Sequence, residues 1–252
     1  MKNFFEMVNL NKGDKVLVSS DILKILMLSK KKQSNLNPNK IIDMLIEKIG
    51  TEGTLLFPTY NWDFCKGIEF NYKKTYSLSG ALGNSALKRK DFIRTKNPIY
   101  SFAVTGKDQI LLSKINHKSC FSLDSPFGYL IKNRGKNLFI DIDYKSGFTF
   151  CHVAEESARV SYRYLKKFTG YYLDGSGQRN KKTHLMYVRD PKSNVSMTVI
   201  HKDFDDVLKK SGAIQKIIID KVKLTLIDIQ KAYRLMIDDL KNNGGLIYAK
   251  KN

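Results

Sequence analysis

Short runs of strand-forming residues alternate with helical segments along most of this chain, and that alternation most narrows the folds open to it. Val16-Leu-Val-Ser-Ser20 reads as a strand entering a loop. Helical patterns follow over residues 22–28 and, after Asn37-Pro38, over residues 41–49. Gly50-Thr-Glu-Gly53 is a turn, and Thr54-Leu-Leu-Phe-Pro-Thr-Tyr60 is a second strand with its exit loop. Residues 80–90 read as helix, 100–105 as strand and 108–115 as helix. Asp124-Ser-Pro-Phe-Gly128 opens another helix, with Ser125 as its cap before Pro126. Elements in this order bury both faces of a sheet, so they predict an α/β fold with a mainly parallel central sheet and helices on both sides.

The texture changes after Phe168. Residues 169–177 and 183–189 read as an antiparallel hairpin around the glycine-rich turn Asp174-Gly-Ser-Gly177. The tail continues with a helix at 204–210, strands at 213–218 and 223–227, and a last helix over about 229–240. No repeat and no long linker divides the 252 residues. A single domain over 1–252 is expected, with any division into two lobes falling near 1–165 and 166–252.

Hydrophobic residues make up 42% of the chain, enough for a sizeable core. Cys65, Cys120 and Cys151 show neither metal-ligand spacing nor an even disulfide set, which fits a reducing, cytoplasmic setting. Met1-Lys-Asn-Phe-Phe-Glu6 lacks the apolar run of a signal peptide, and no stretch reaches the roughly 18 apolar residues of a membrane span. The net charge of +20 invites a nucleic-acid reading, but the lysines are dispersed rather than gathered on one element. A positive field attracts phosphorylated metabolites equally well. Lys30-Lys-Lys32 and Lys181-Lys182 read as solvated surface.

The chemistry has few places to sit. No phosphate loop with Gly-Lys-Ser/Thr is present, Gly80-Ala-Leu-Gly83 is too short to stand for one, and no Gly-x-Ser-x-Gly elbow appears. Residues 136–156 are more informative. They read as a buried strand (137–142), a loop with Gly147, and a first helical turn containing His152. Glu155 and Glu156 follow His152 at i+3 and i+4, on the same helix face. One carboxylate can therefore hold one imidazole nitrogen and leave the other free. The positive end of the helix dipole disfavours imidazolium there. A neutral, oriented imidazole at the carboxyl end of a strand is what a general base needs. The same residues also fit a plain surface helix start with a solvated histidine. Cys151, one residue away, points about 100° from His152 on a helix and reads as packing rather than nucleophile. His117, His184 and His201 are isolated, and no set of residues has metal-ligand spacing.

Several segments gain meaning from their order. Val18-Ser19-Ser20 follows the first strand. Gly53-Thr-Leu-Leu-Phe-Pro58, Gly80-Ala-Leu-Gly-Asn-Ser85 and Arg94-Thr-Lys-Asn-Pro-Ile-Tyr-Ser101 through Gly106 come next. Asp124-Ser-Pro-Phe-Gly128 and His152-Val-Ala-Glu155 complete the series. Together they resemble the aminoglycoside 3-N-acetyltransferase family, over roughly residues 14–160 and more loosely beyond. The resemblance implies a three-layer α/β/α fold that is not the GNAT fold. It implies acetyl- or another acyl-coenzyme A as donor and an amino-sugar acceptor, and direct transfer between them needs no metal. It makes His152 the catalytic base, with Glu155 orienting it or contacting the acceptor. It places Ser19, Ser20, Ser101 and Ser125 near the coenzyme or the reacting thioester. The chain departs from the family pattern at three sites: Thr95 stands for serine, Asn97 for histidine, and the pair Asn84-Ser85 where an acid is common.

The expected reaction is direct attack of a neutral amine on the thioester, with Ser85 or Ser101 helping backbone N–H groups bind the oxyanion. Aminoglycosides are polycations, whereas this chain carries 44 Lys and Arg against 24 Asp and Glu. Charge therefore predicts a nucleotide-linked amino sugar of surface-glycan synthesis as acceptor, with antibiotic acetylation as the alternative and a basic nucleic-acid-binding protein as the rival of another class. Oligomeric state and acyl length stay open.

Overall fold

The predicted strands and helices form, but the pairing of the strands departs from the expected pattern. A computed structural model describes residues 4–195 and 200–246. Its first half comprises β1 (Lys15–Ser20), α1 (Leu23–Lys31), α2 (Pro38–Ile49), β2 (Thr54–Pro58), β3 (Phe70–Asn71), α3 (Ala81–Ala86), β4 (Ile93–Arg94), β5 (Phe102–Gly106) and α4 (Gln109–Lys114). Then follow α5 (Pro126–Lys132), β6 (Lys136–Ile140), α6 (Tyr144–Gly147), α7 (Cys151–Ala158), β7 (Arg163–Leu173), β8 (Arg179–Arg189), α8 (Lys202–Lys210), β9 (Ile214–Ile219), β10 (Val222–Asp228) and α9 (Ile229–Asn242).

Seven strands form one sheet in the order β4-β5-β2-β1-β6-β10-β9. Only its centre is parallel, where β1 lies between β2 and β6. The flanking pairs β2–β5, β4–β5, β6–β10 and β9–β10 are antiparallel. The sheet is thus mixed rather than mainly parallel. The cause is local at one end: β9 and β10 are joined by Asp220-Lys221, both at positive φ, a tight hairpin turn that permits only an antiparallel return.

Side chains alternate across this sheet with period two. Leu17, Leu56, Phe102 and Phe139 face one apolar layer, together with α5, α7 and α9. Val16, Val18, Leu55, Phe57, Leu138 and Ile140 face the other, with α2 and α3. The result is the expected three-layer arrangement. The hairpin of β7 and β8 is longer than predicted and pairs with β3 as a separate three-stranded sheet. The expected lobe boundary near residue 165 falls inside β7, and β9, β10 and α9 return to the main sheet and its helical layer.

Two helix starts differ in detail. The helix expected over 80–90 is confined to α3, with Gly83 buried beneath the end of β2, where a Cβ would lie 2.2 Å from the Pro58 carbonyl oxygen. Ser125 does occupy the cap position of α5, but its hydroxyl makes no capping hydrogen bond. Among the described residues no helix is long and apolar enough to cross a membrane.

Candidate active site

The parallel strands β1, β2 and β6 end together, at Ser20, Pro58 and Ile140, and ligands of open α/β sheets bind outside that carboxyl edge. β5 runs antiparallel to β2, so its start at Phe102 pairs with Pro58 and brings Tyr100 and Ser101 to the same edge. From β6 the chain passes through α6 into α7, and His152 sits in the first turn of α7.

The i, i+3 spacing delivers the predicted contact. His152 Nδ1 meets Glu155 Oε2 in a short hydrogen bond, read here as Nδ1–H donating to the carboxylate. Glu155 is fully buried, and its other oxygen accepts from Arg163 Nε at 2.5 Å. Arg163 Nη1 donates in turn to the Tyr187 carbonyl at 3.1 Å. His152 keeps 17% side-chain exposure, and Nε2 makes no hydrogen bond among the described residues. With Nδ1 carrying the proton, the Nε2 lone pair is left able to accept one.

Aromatic rings flank the imidazole. Phe121 lies 5.0 Å from the His152 ring, Tyr100 lies 4.8 Å from Phe121, and partly exposed Trp62 donates through Nε1 to Tyr100 Oη at 3.3 Å. Glu156, one turn from His152 on the same face, is half-buried and accepts from Ser119 Oγ at 2.7 Å. Burial raises its pKa above the usual carboxylate range, the Ser119 hydrogen bond opposes this, and nearby Asp124 adds to the rise. Two carboxylates, Glu155 and Glu156, thus stand on the His152 face of α7, a local grouping that the net charge of +20 does not show. A total over the whole surface does not fix the sign inside one cleft.

Cys151 is closer to His152 than helical geometry predicted, with Sγ 3.5 Å from Nδ1. It touches the nitrogen already engaged by Glu155, and it is fully buried. Donor atoms of Cys151, His152 and Glu155 all fall within 4.8 Å of one another, a grouping the sequence spacing did not reveal. The donor set does not fit a metal ion well, because the Arg163 guanidinium already neutralises the one carboxylate.

The predicted serines separate. Ser101 is fully buried: it accepts from Arg94 Nε at 3.0 Å, donates to the Thr59 carbonyl at 2.9 Å, and lies 2.8 Å from Thr59 Oγ1. Arg94, itself buried, also donates to the Thr59 carbonyl at 3.1 Å and to that of Thr75, and it stacks 4.6 Å over Phe70. Desolvation lowers the Arg94 pKa to about 10. Ser101 thus serves the frame of the site. Ser85 is on α3, which packs in the α2 layer on the face of the sheet opposite α7. Ser19 reaches Asn137 Oδ1 at 3.5 Å, and Ser20 ends β1 at the carboxyl edge. Ser125 is buried, and its hydroxyl has no hydrogen-bond partner among the described residues. Asn97, which departs from the family pattern, is buried and accepts from the N–H groups of Ile99 and Tyr100 at 2.9 Å, so it shapes the turn that presents Tyr100. Arg163 and the aromatic wall carried no recognisable sequence signal: they converge only through chain reversals.

The family model described as aminoglycoside 3-N-acetyltransferase matches residues 27–241. No curated protein sequence matches. Among solved structures, AAC-IIIb in binary complex with CoASH is 15% identical over 96% of this chain and 95% of its own, with a TM-score of 0.74. The aminoglycoside acetyltransferase AAC(3)-IIb is 14% identical over 97% and 96%, with a TM-score of 0.77. The YokD protein from Bacillus subtilis is 18% identical over 96% and 92%, with a TM-score of 0.76. At such identities the likeness to these structures concerns the fold.

Proposed function

Because the chain belongs to the aminoglycoside 3-N-acetyltransferase family and is thus an acyltransferase enzyme, we propose that it moves an acetyl or short acyl group from coenzyme A to an amine of an amino sugar, with His152 as general base. One observation carries the reading: His152 Nδ1 is held by a buried carboxylate while Nε2 is uncommitted beside an aromatic wall.

An amine attacks a thioester only through its lone pair. Nε2 accepts the proton the nitrogen loses as the N–C bond forms, directly or through one water. Glu155 stabilises the imidazolium that results. Collapse of the tetrahedral intermediate breaks the C–S bond, and the proton passes to the departing thiolate. No acyl group is carried on the enzyme. The oxyanion requires donors. Of the serines considered, Ser125 alone is buried with an uncommitted hydroxyl, which favours it over Ser101 and Ser85 for that task. Ser19 and Ser20 stay candidates for donor contacts because they end β1 at the ligand-binding edge.

For the acceptor, the half-buried Glu156 and nearby Asp124 favour an amino sugar with more than one ammonium group, the aminoglycoside type. A bound cation would relieve their repulsion. The relative described as AAC-VIa bound to sisomicin is consistent with this choice. The second reading is a nucleotide-linked amino sugar, favoured by the net charge of +20, although phosphates of coenzyme A account for part of that field. A thiol-release assay with acetyl-coenzyme A decides between them. We expect higher kcat/KM for kanamycin-type or gentamicin-type amines than for any nucleotide-linked amino sugar. The reverse order would restore the anionic acceptor, and no thiol release with either class would remove the proposed reaction.

A further inference from the structure

The fold directs an arginine at the carboxylate behind the base. α7 ends at Ala158, Arg159 turns the chain at φ 54°, and β7 starts at Arg163, so the strand's first residue comes back onto Glu155, eight positions earlier. Arg163 Nε lies 2.5 Å from Glu155 Oε1, the oxygen not engaged by His152. Its Nη1 is fixed to the Tyr187 carbonyl, and Tyr187 Oη donates to the Val160 carbonyl at 2.7 Å. Those contacts close a ring between the end of α7 and the base of the β7–β8 hairpin. We propose that Arg163 is a positioning residue that balances and orients Glu155, so that Glu155 aims His152 without holding it as a permanent imidazolium; this rests on the reading of His152 as base.

The charge argument is short. A buried carboxylate facing only an imidazole places its full charge on that ring and favours the protonated form, which cannot act as a base. A guanidinium on the second oxygen shares the charge while leaving the first oxygen as acceptor. Other titratable groups around this chain of contacts are Cys151 and Glu156 on α7, Tyr187 on β8, and Tyr100 and Cys120 from the aromatic side. None of these is a cation, so Arg163 supplies the balancing charge among them. The β7–β8 hairpin thereby gains a role at the site, because its first residue sets the orientation of the base.

Two measurements on Arg163→Met test this: the pH profile of kcat/KM, and the NMR titration of His152, identified among four histidines by its absence in His152→Ala. We expect kcat to fall by about a hundredfold, as for a misaimed catalytic group, with KM for the donor little changed. The acidic limb and the His152 midpoint should both move to higher pH. Arg163→Lys, which keeps the charge but not the fork, should return the limb toward wild type while recovering only part of the rate. Should the Met variant not fold, Arg163→Gln gives the same reading. A folded neutral variant whose limb and His152 midpoint stay at their wild-type positions would overturn the proposal, whatever its rate. Full turnover in His152→Ala would instead remove the base, and the NMR midpoint would still report whether Arg163 acts on that ring.

Discussion

Cys151 and His152 are neighbours in the chain and in space, yet their chemistry is divided by which imidazole nitrogen each partner reaches. Sγ faces Nδ1, where Glu155 already binds, and lies in the fully buried layer beneath α7. A nucleophile needs the free nitrogen and an open face, and Cys151 has neither. Cys151→Ser should therefore keep activity within about tenfold of wild type and yield no enzyme-bound acyl group by intact mass spectrometry, since the base stays in place. Trapping an acyl group on Cys151 would replace direct transfer with a two-step route. At this scale legibility depends on sequence distance. His152 and Glu155 could be read because a helix brings i and i+3 together. The commitment of Ser101 to Arg94 and Thr59 arises instead from three segments meeting at one sheet edge. No spacing rule encodes that meeting.

Elements were legible where pattern alone decides them. β1, β2, β6 and the last helix fall within a few residues of expectation, because β-branched runs and helical periodicity are local properties. Strand direction is not local, and the strands flanking the parallel centre pair antiparallel. α3 shows a further limit: Gly83 lies against the Pro58 carbonyl, a contact between two elements that no local pattern encodes. Gly83→Ala would drive a methyl group into backbone that cannot retreat, so we expect a loss of about 1–3 kcal/mol, read as a lower thermal midpoint. A midpoint equal to wild type would mean that α3 is free to shift away from β2. Arg94 works at the same scale. It ties the loop at Thr75 to the end of β2 through Thr59 and to Ser101, the neighbour of Tyr100.

For the whole molecule, composition predicted a core, and the two apolar layers supply it. Net charge predicted an anionic acceptor, and the acids beside His152 point the other way. Two other histidines give the fold a pH response of its own. His184 is buried, and desolvation, then His117 and Lys182, lower its pKa from 6.5 to about 4. Burial likewise lowers that of His117, although its hydrogen bond to the Ser119 carbonyl opposes the shift. Both are neutral when folded and take up protons more readily when unfolded. Their contribution is complete above pH 6.5 and is lost as pH falls toward about 4. The thermal midpoint should drop across that window, with a shallower slope in His184→Gln; an unchanged slope would assign acid sensitivity elsewhere. The central claim, however, is that His152 takes the acceptor's proton. Its most direct test is steady-state thiol release by His152→Ala, with folding checked by its thermal midpoint. We predict turnover lower by about two to four orders of magnitude in a protein that melts near wild type. Near-normal turnover in that folded variant would contradict the claim.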